Sequence, residues 1–278
     1  MKQLFDTSSL KCSKIVTNTY STSFSLGIKL FAPSVRPHIY AIYGFVRYAD
    51  EIVDSFEGYN QKDLFQDFVE DYKKSLDRKI SLNPIINAFQ EVVHHYKLYT
   101  YADDFLKRME ADLYVTDYTT KEAYDNYIYG SADVVGLMCL RVFVNNDEEK
   151  FNQLKDSAKH LGSAFQKVNF LRDIKDDIEL LGRSYFPNLS HNTLNNGNKK
   201  EIIADIDRDL EIAYKGIIQL PLESKLGVYI AYRYYLKLLK KLKKADSEKI
   251  LSGRIRISNA LKVFILTKSY IRYKLNFF

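Results

Sequence analysis

Two short stretches hold the residues of this chain that are best suited to chemistry. Read as a helix, Gln166 to Asp177 sets Gln166, Asn169 or Phe170, Asp173 and Asp177 on one face, because residues three and four apart are neighbours. Tyr43, Arg47, Asp50 and Asp54, spaced four, three and four, form a second stripe of the same kind. Each stripe ends in two carboxylates one turn apart. Asp63/Asp67, Asp67/Asp71 and Asp205/Asp209 share that spacing, but they lie among Lys, Arg, Glu and Gln and read as solvated helix faces. The first stripe is instead surrounded by Ile39, Ala41, Ile42, Phe45, Val46, Ala49, Ile52 and Val53. A helix that is apolar nearly all round is a buried one, so the acidic stripes should face the interior or a cavity.

Inward carboxylates need positive charge. Two like charges 4 Å apart repel by about 4 kcal/mol at an effective dielectric near 20, against about 1 kcal/mol in water. Internal salt bridging to Arg47 and Arg172 is one answer. Two matched pairs favour another: Mg²⁺, or Mn²⁺, whose oxygen-only shell takes few carboxylates and is completed by water and substrate phosphate. Asp50, Asp54, Asn169, Asp173 and Asp177 would hold it, and Arg47 and Arg172 would offer forked donors to phosphate oxygens. Ser21, Thr22 and Ser23 precede an apolar turn, either as a helix cap or as hydroxyls at a helix N-terminus that hold phosphate.

The elements that position these residues read as helices. Gly (11) and Pro (5) are scarce among 278 residues, and 46% are hydrophobic, which favours long helices around a sizeable core over a turn-rich β fold. Pro37 opens a helix reaching about Val53, and residues 55–84 read as a loop and a surface helix. Further helices are expected near 85–99, 101–115, 121–144, 150–180, 201–220, 222–245 and from 247 to the end. Residues 130–136 would allow a close helix approach or a local break, Asn188 to Asn198 an Asn-rich loop, and His94 and His95 should face solvent. The expectation is one all-α domain over 1–278. A net charge of +6 suits an anionic substrate or an anionic membrane and does not point to nucleic acid. Cys12 and Cys139 have no metal-type spacing, which fits a reduced cytoplasm. The N-terminus lacks the apolar core of a signal peptide, and the longest apolar run, Val134 to Leu140, is too short to span a bilayer. Lys237, Lys240, Lys241, Lys243 and Lys244 make either a solvated face or a peripheral membrane contact.

Several of these stretches together resemble the squalene/phytoene synthase family. Ser21-Thr22-Ser23-Phe24 resembles its Ser-x-Ser-Phe start, Tyr43 to Asp54 its first aspartate motif, and Tyr127 to Met138 its Tyr-rich segment. Gln166 to Asp177 resembles its second motif, Gln-x-x-Asn-x-x-Arg-Asp-x-x-x-Asp, and Gly182-Arg183-Ser184-Tyr185-Phe186-Pro187 the signature that follows. Asp133 stands where the family has a small residue, and Tyr20 where some members have His. The resemblance implies an all-α isoprenoid synthase fold around a central cavity and head-to-head joining of two prenyl diphosphates through a cyclopropylcarbinyl diphosphate. It implies Asp50, Asp54, Asp173, Asp177 and Tyr129 as catalytic residues. Tyr20, Ser21, Thr22, Ser23, Tyr43, Arg47, Gln166, Arg172 and Tyr235 would bind substrate.

The expected product is phytoene, from two geranylgeranyl diphosphates and without NADPH. No Gly-rich dinucleotide fingerprint is present, and the chain of 278 residues shows no membrane-spanning tail. Phe24 and Ile28 share a helix face with Gly27 beside them, which would leave room for an extra prenyl unit. Squalene or dehydrosqualene synthesis from farnesyl diphosphate is the alternative within the class. A non-catalytic assembly factor on the same fold would have no reason to keep both acidic pairs.

Overall fold

The computed structural model describes residues 1–56, 58–115, 118, 120–179, 185–187, 189 and 194–275, and all regular structure among them is helical. The signature residues Gly182, Arg183 and Ser184 lie outside the described residues. The chain runs through α1 (Lys2–Tyr20), α2 (Thr22–Ile28), α3 (Arg36–Ser55), α4 (Gln61–Arg78), α5 (Pro84–Tyr96), α6 (Tyr99–Asp112) and α7 (Lys121–Ile128). A π-helical turn over Tyr129–Asp133 leads into α8 (Val134–Phe143), α9 (Glu148–Glu179), α10 (Asn196–Ile217), α11 (Leu222–Lys244), α12 (Ser247–Ser252) and α13 (Asn259–Lys274).

Side-chain caps mark several helix starts. Ser21 accepts from the Phe24 N–H at the head of α2, and Asn83 caps α5 with Pro84 following it. α3 and α9, which carry the two acidic stripes, both lie inside the assembly: α3 packs against α1, α5 and α8, and α9 against α8, α10 and the π turn. On its far side α3 inserts Phe45 into an aromatic nest, stacked on Phe89 at 3.9 Å with Phe68 and Tyr72 beside it. α13 closes a small second core on α11, built from Leu226, Ile230, Tyr234 and Ile265.

The helix expected over 121–144 has the local break allowed at residues 130–136: the π turn interrupts it where Gly162 of α9 meets the backbone of Ala132, and a Cβ there would lie 2.7 Å from the Ala132 carbonyl oxygen. Three expectations need correction. The helix expected from 247 to the end breaks after α12. Ile255 and Ile257 pack against the core while Arg254 and Arg256 are exposed on the other side, and this period of two is that of extended chain, not a helix. Asp209 is not on a solvated face: α10 lies along α9, and buried Asp209 accepts from Lys167 Nζ at 2.8 Å and bonds His160 Nδ1 at 2.8 Å. His94 is half-buried, bonded to the Leu76 carbonyl and to the Tyr99 hydroxyl.

Gly27 lines the central cavity with Phe24 and Ile28. Its carbonyl also lies at the crossing of α2 and α11, where a Cβ on Gly227 would meet the Phe31 ring and come within 2.6 Å of the Gly27 carbonyl oxygen. Backbone cannot yield as a side chain can, so Gly227→Ala should cost about 1–3 kcal/mol by overpacking. Gly253 has open space around it and an extended backbone. Thermal denaturation of the two alanine variants checks this: Gly227→Ala melts lower than the parent and Gly253→Ala melts with it.

Candidate active site

Among the described residues, eight helices (α2, α3 and α6 to α11) and the π turn line a cavity of about 340 Å³. α3 lines it with Ile39, Ile42, Tyr43, Val46, Arg47 and Asp50, the i, i+3, i+4, i+7 stripe of one helix face. α9 lines the opposite flank from Leu154 through Ala158, Leu161 and Phe165 to Gln166 and Asn169. The polar residues gather at one end: Arg47, Asp50, Gln166, Asn169 and the Tyr43 and Tyr235 hydroxyls. Towards the other end the wall becomes Ile39, Leu140, Phe143, Leu154, Leu220 and Phe31, with the Phe31 and Phe143 rings 5.1 Å apart. Between the two lies an aromatic neck. Phe165 stacks on Tyr235 at 3.8 Å, and Phe24 contacts Tyr43, Phe165 and Tyr235 at 5.8, 6.3 and 6.4 Å.

At the polar end each acidic stripe is met by guanidinium. Arg47 donates to Asp50 at 2.5 Å and also to Glu51. Arg172 donates through Nε to Asp173 at 2.8 Å and through its terminal nitrogen to the other oxygen, and Arg254 reaches the same carboxylate at 2.8 Å. This is the internal salt bridging weighed from the sequence. Among the described residues no three His, Cys, Asp or Glu side chains gather into a ready metal cluster. The donor set, carboxylates with the Asn169 amide oxygen, is nonetheless the hard oxygen chemistry that Mg²⁺ takes. Charge balance points the same way. Removal from water, and then the neighbouring Asp54, push the Asp50 carboxyl up to about 7 against the pull of Arg47. Burial likewise pushes the Tyr43 hydroxyl up to about 12, with Arg47 opposing, and raises Tyr235, whose hydroxyl donates to Asn169 at 3.3 Å.

The expected residues do not all converge. Tyr43, Arg47, Asp50, Gln166, Asn169 and Tyr235 line the cavity. Arg172 and Asp173 stand close enough to act on the Tyr235 hydroxyl. Asp54 stands behind Asp50 as its like-charge neighbour. Asp177 borders a small hollow with Phe170, Tyr185 and Phe186. Ser21 caps α2 next to Tyr43, Thr22 accepts from Lys262 Nζ at 2.7 Å, and Ser23 is half-buried. Tyr20 is on the outside, its ring under the Arg47 guanidinium at 4.5 Å. Tyr129 turns outward: it is 37% exposed and donates to Asp104, while Tyr127 takes the place on the cavity wall.

Two features escaped the sequence reading. Behind the wall, Arg108, Asp112, Tyr118 and Tyr127 form a buried network, with Arg108 donating to Asp112 at 2.8 Å and to Tyr118 at 2.7 Å. The other is Arg254, whose signal was the Arg-Ile-Arg-Ile alternation after Gly253.

Comparison with known proteins follows this geometry. The family model described as squalene/phytoene synthase matches residues 17–260. A 15-cis-phytoene synthase of Enterobacter agglomerans is 30% identical over 82% of this chain and 84% of its own length. A 4,4'-diapophytoene synthase of Staphylococcus haemolyticus is 25% identical over 84% and 87%. The crystal structure of a dehydrosqualene synthase in complex with ligand superposes with a TM-score of 0.81 at 19% identity, covering 97% of this chain and 98% of that one. The fold is the all-α isoprenoid synthase fold.

Asp50 gives a pH signature. Its carboxyl is raised above the unfolded value near 4, so the stability it lends is complete below pH 4 and lost as pH rises through 7. Asp50→Asn removes the group, and its advantage over the parent should grow between pH 4 and 7 and then level. The Asp50 side chain is 35% exposed, so solvent screening holds the gain to about 1–2 kcal/mol. Denaturant titrations at pH 4 and pH 8 without divalent cation measure it.

Proposed function

The chain belongs to the squalene/phytoene synthase family, and from that premise we propose that it joins two geranylgeranyl diphosphates head to head to give phytoene. It is a prenyltransferase. The observation that carries the reading is the cavity: among the described residues its only charged lining groups, Arg47 and Asp50, stand at one end of a mostly apolar lumen. That is the shape of a diphosphate head and a hydrocarbon tail.

Length supports the longer tail. From Leu154 to Asn169 the α9 lining covers about 22 Å at a rise of 1.5 Å per residue. A geranylgeranyl chain extends about 19 Å and a farnesyl chain about 14 Å, at roughly 1.25 Å of advance for each carbon–carbon bond of about 1.5 Å. The 4,4'-diapophytoene synthase and dehydrosqualene synthase similarities favour farnesyl diphosphate as the second reading.

Asp50, Asp54, Asn169, Asp173 and Asp177 would hold Mg²⁺ or Mn²⁺, which neutralises the charge on a departing diphosphate. Arg47, Arg172 and Arg254 present forks that fit diphosphate oxygens as well as carboxylates, so they pass from Asp50 and Asp173 to the substrate as it enters. The faces of Phe24, Tyr43, Phe165 and Tyr235 steady the allylic cation left behind. The apolar lumen keeps water from it while it adds to the double bond of the second substrate and loses a proton. The cyclopropylcarbinyl diphosphate then ionises, rearranges and loses another proton. No electron pair is gained from outside, so NADPH is not required.

Equimolar farnesyl and geranylgeranyl diphosphates, supplied with Mg²⁺ and compared by kcat/KM, test the assignment. Preferential consumption of the geranylgeranyl substrate, with phytoene as product, is expected; a preference for the farnesyl substrate, or squalene on adding NADPH, overturns it. In the same assay Asp50→Ala and Asp173→Ala should each lose at least about a hundredfold in turnover with unchanged helicity by circular dichroism.

A further inference from the structure

α13 has two apolar faces and uses one of them against the protein. Its inner face sets Ile265 and Ser269 on α11, beside Leu226, Ile230 and Tyr234. Its outer face carries Val263, Phe264, Ile271 and Leu275, each between 51% and 60% exposed. Phe264, Lys268, Ile271 and Leu275 follow one another at four, three and four residues, a single stripe along the helix. A helix apolar on both sides belongs to a buried setting, and the outer side here stays more than half exposed.

Charge indicates what covers it. Residues 249–278 contain seven Lys or Arg and no Asp or Glu. A second copy meeting this face about a two-fold axis would set like charges against each other, whereas an anionic surface is complementary. Large apolar side chains with Lys and Arg beside them are the composition of a helix that lies in a membrane interface. The Lys-rich run of α11 is a weaker candidate for the same role. Lys243 is held by Asp207 at 2.6 Å and Lys241 by the Arg256 carbonyl at 2.8 Å, with no comparable apolar stripe beside them. No helix among the described residues is long and apolar enough to cross a membrane, which leaves surface contact as the mode.

We propose that the outer face of α13 docks on an anionic lipid bilayer, with Val263, Phe264, Ile271 and Leu275 entering the acyl boundary and Lys268 and Arg256 at the headgroups. The docked face lies next to the polar end of the cavity: Lys262 donates to the Thr22 hydroxyl at 2.7 Å and Arg254 to Asp173 at 2.8 Å. If the substrate assignment above holds, the same contact sets the cavity mouth at the surface where prenyl chains dissolve. The docking itself rests on exposure and charge alone and is read without turnover.

The test is flotation of the full chain with vesicles of phosphatidylcholine alone and of phosphatidylcholine with an equal part of phosphatidylglycerol, at low and high salt. The parent should float with the anionic vesicles at low salt, and less at high salt. Phe264→Ser with Ile271→Ser should lower partitioning at least about tenfold, and Lys268→Glu should lower it while leaving the apolar stripe in place. All three substitutions lie on exposed positions, and an unchanged melting temperature confirms the fold of each variant. Absence of parent binding to anionic vesicles overturns the proposal. Equal flotation of parent and double variant overturns it too, since another surface would then be responsible. So does self-association by light scattering that the double variant abolishes, which would make the face a contact between copies.

Discussion

Carboxylates held at the end of an apolar cavity must be answered by positive charge, and in this chain the answer is guanidinium. Arg47 serves Asp50 and Glu51, and Arg172 and Arg254 share Asp173. Arginine suits this better than lysine would, because one planar fork satisfies two oxygens and remains charged when half-buried. The arrangement also makes the polar end exchangeable. Each guanidinium is matched to a carboxylate by geometry that a diphosphate would reproduce, so under the proposed function an incoming anion and a divalent cation would swap partners with the pairs already there. The rest of the fold is subordinate to that arrangement: two long helices bring the acidic stripes inward, and the extended segment between α12 and α13 brings Arg254 back to the second of them.

Much of the fold could be read from residue pattern because its signals are local. Scarce Gly and Pro, Pro37 near a helix start and Ser21 at a cap are decided within one or two turns. α3 and α9 follow the spacing of their apolar and acidic residues closely. The misreadings have a common cause, which is that partners far away in sequence set the environment. Asp209 sits among charged neighbours along the chain, yet Lys167 and His160 of α9 enclose it. The break allowed at residues 130–136 was legible, but its π-turn form is fixed by the approach of Gly162 to Ala132, thirty residues apart. Tyr129 and Tyr127 have the same chemistry and adjacent motif positions, and only the phase of the helix at that turn decides which faces the cavity. Arg254 lies beyond both aspartate motifs, and an extended segment rather than a helix delivers it.

The glycine crossings have a consequence for how this cavity can change. At Gly136, Gly162 and Gly227 the nearest neighbours include backbone carbonyls, of Ala158, Ala132 and Gly27. Main chain forms part of the side walls there, and main chain cannot be trimmed by substitution. Any larger residue at these points forces helices apart, and there is nothing smaller to install. The inner end is built differently, from side chains such as Phe31, Phe143, Leu154 and Leu220 that can be shortened one at a time. Under mutation the lumen is therefore held in girth at these three crossings while its depth is free to drift. Descendants of this sequence would be expected to explore tails of different length long before tails of different width.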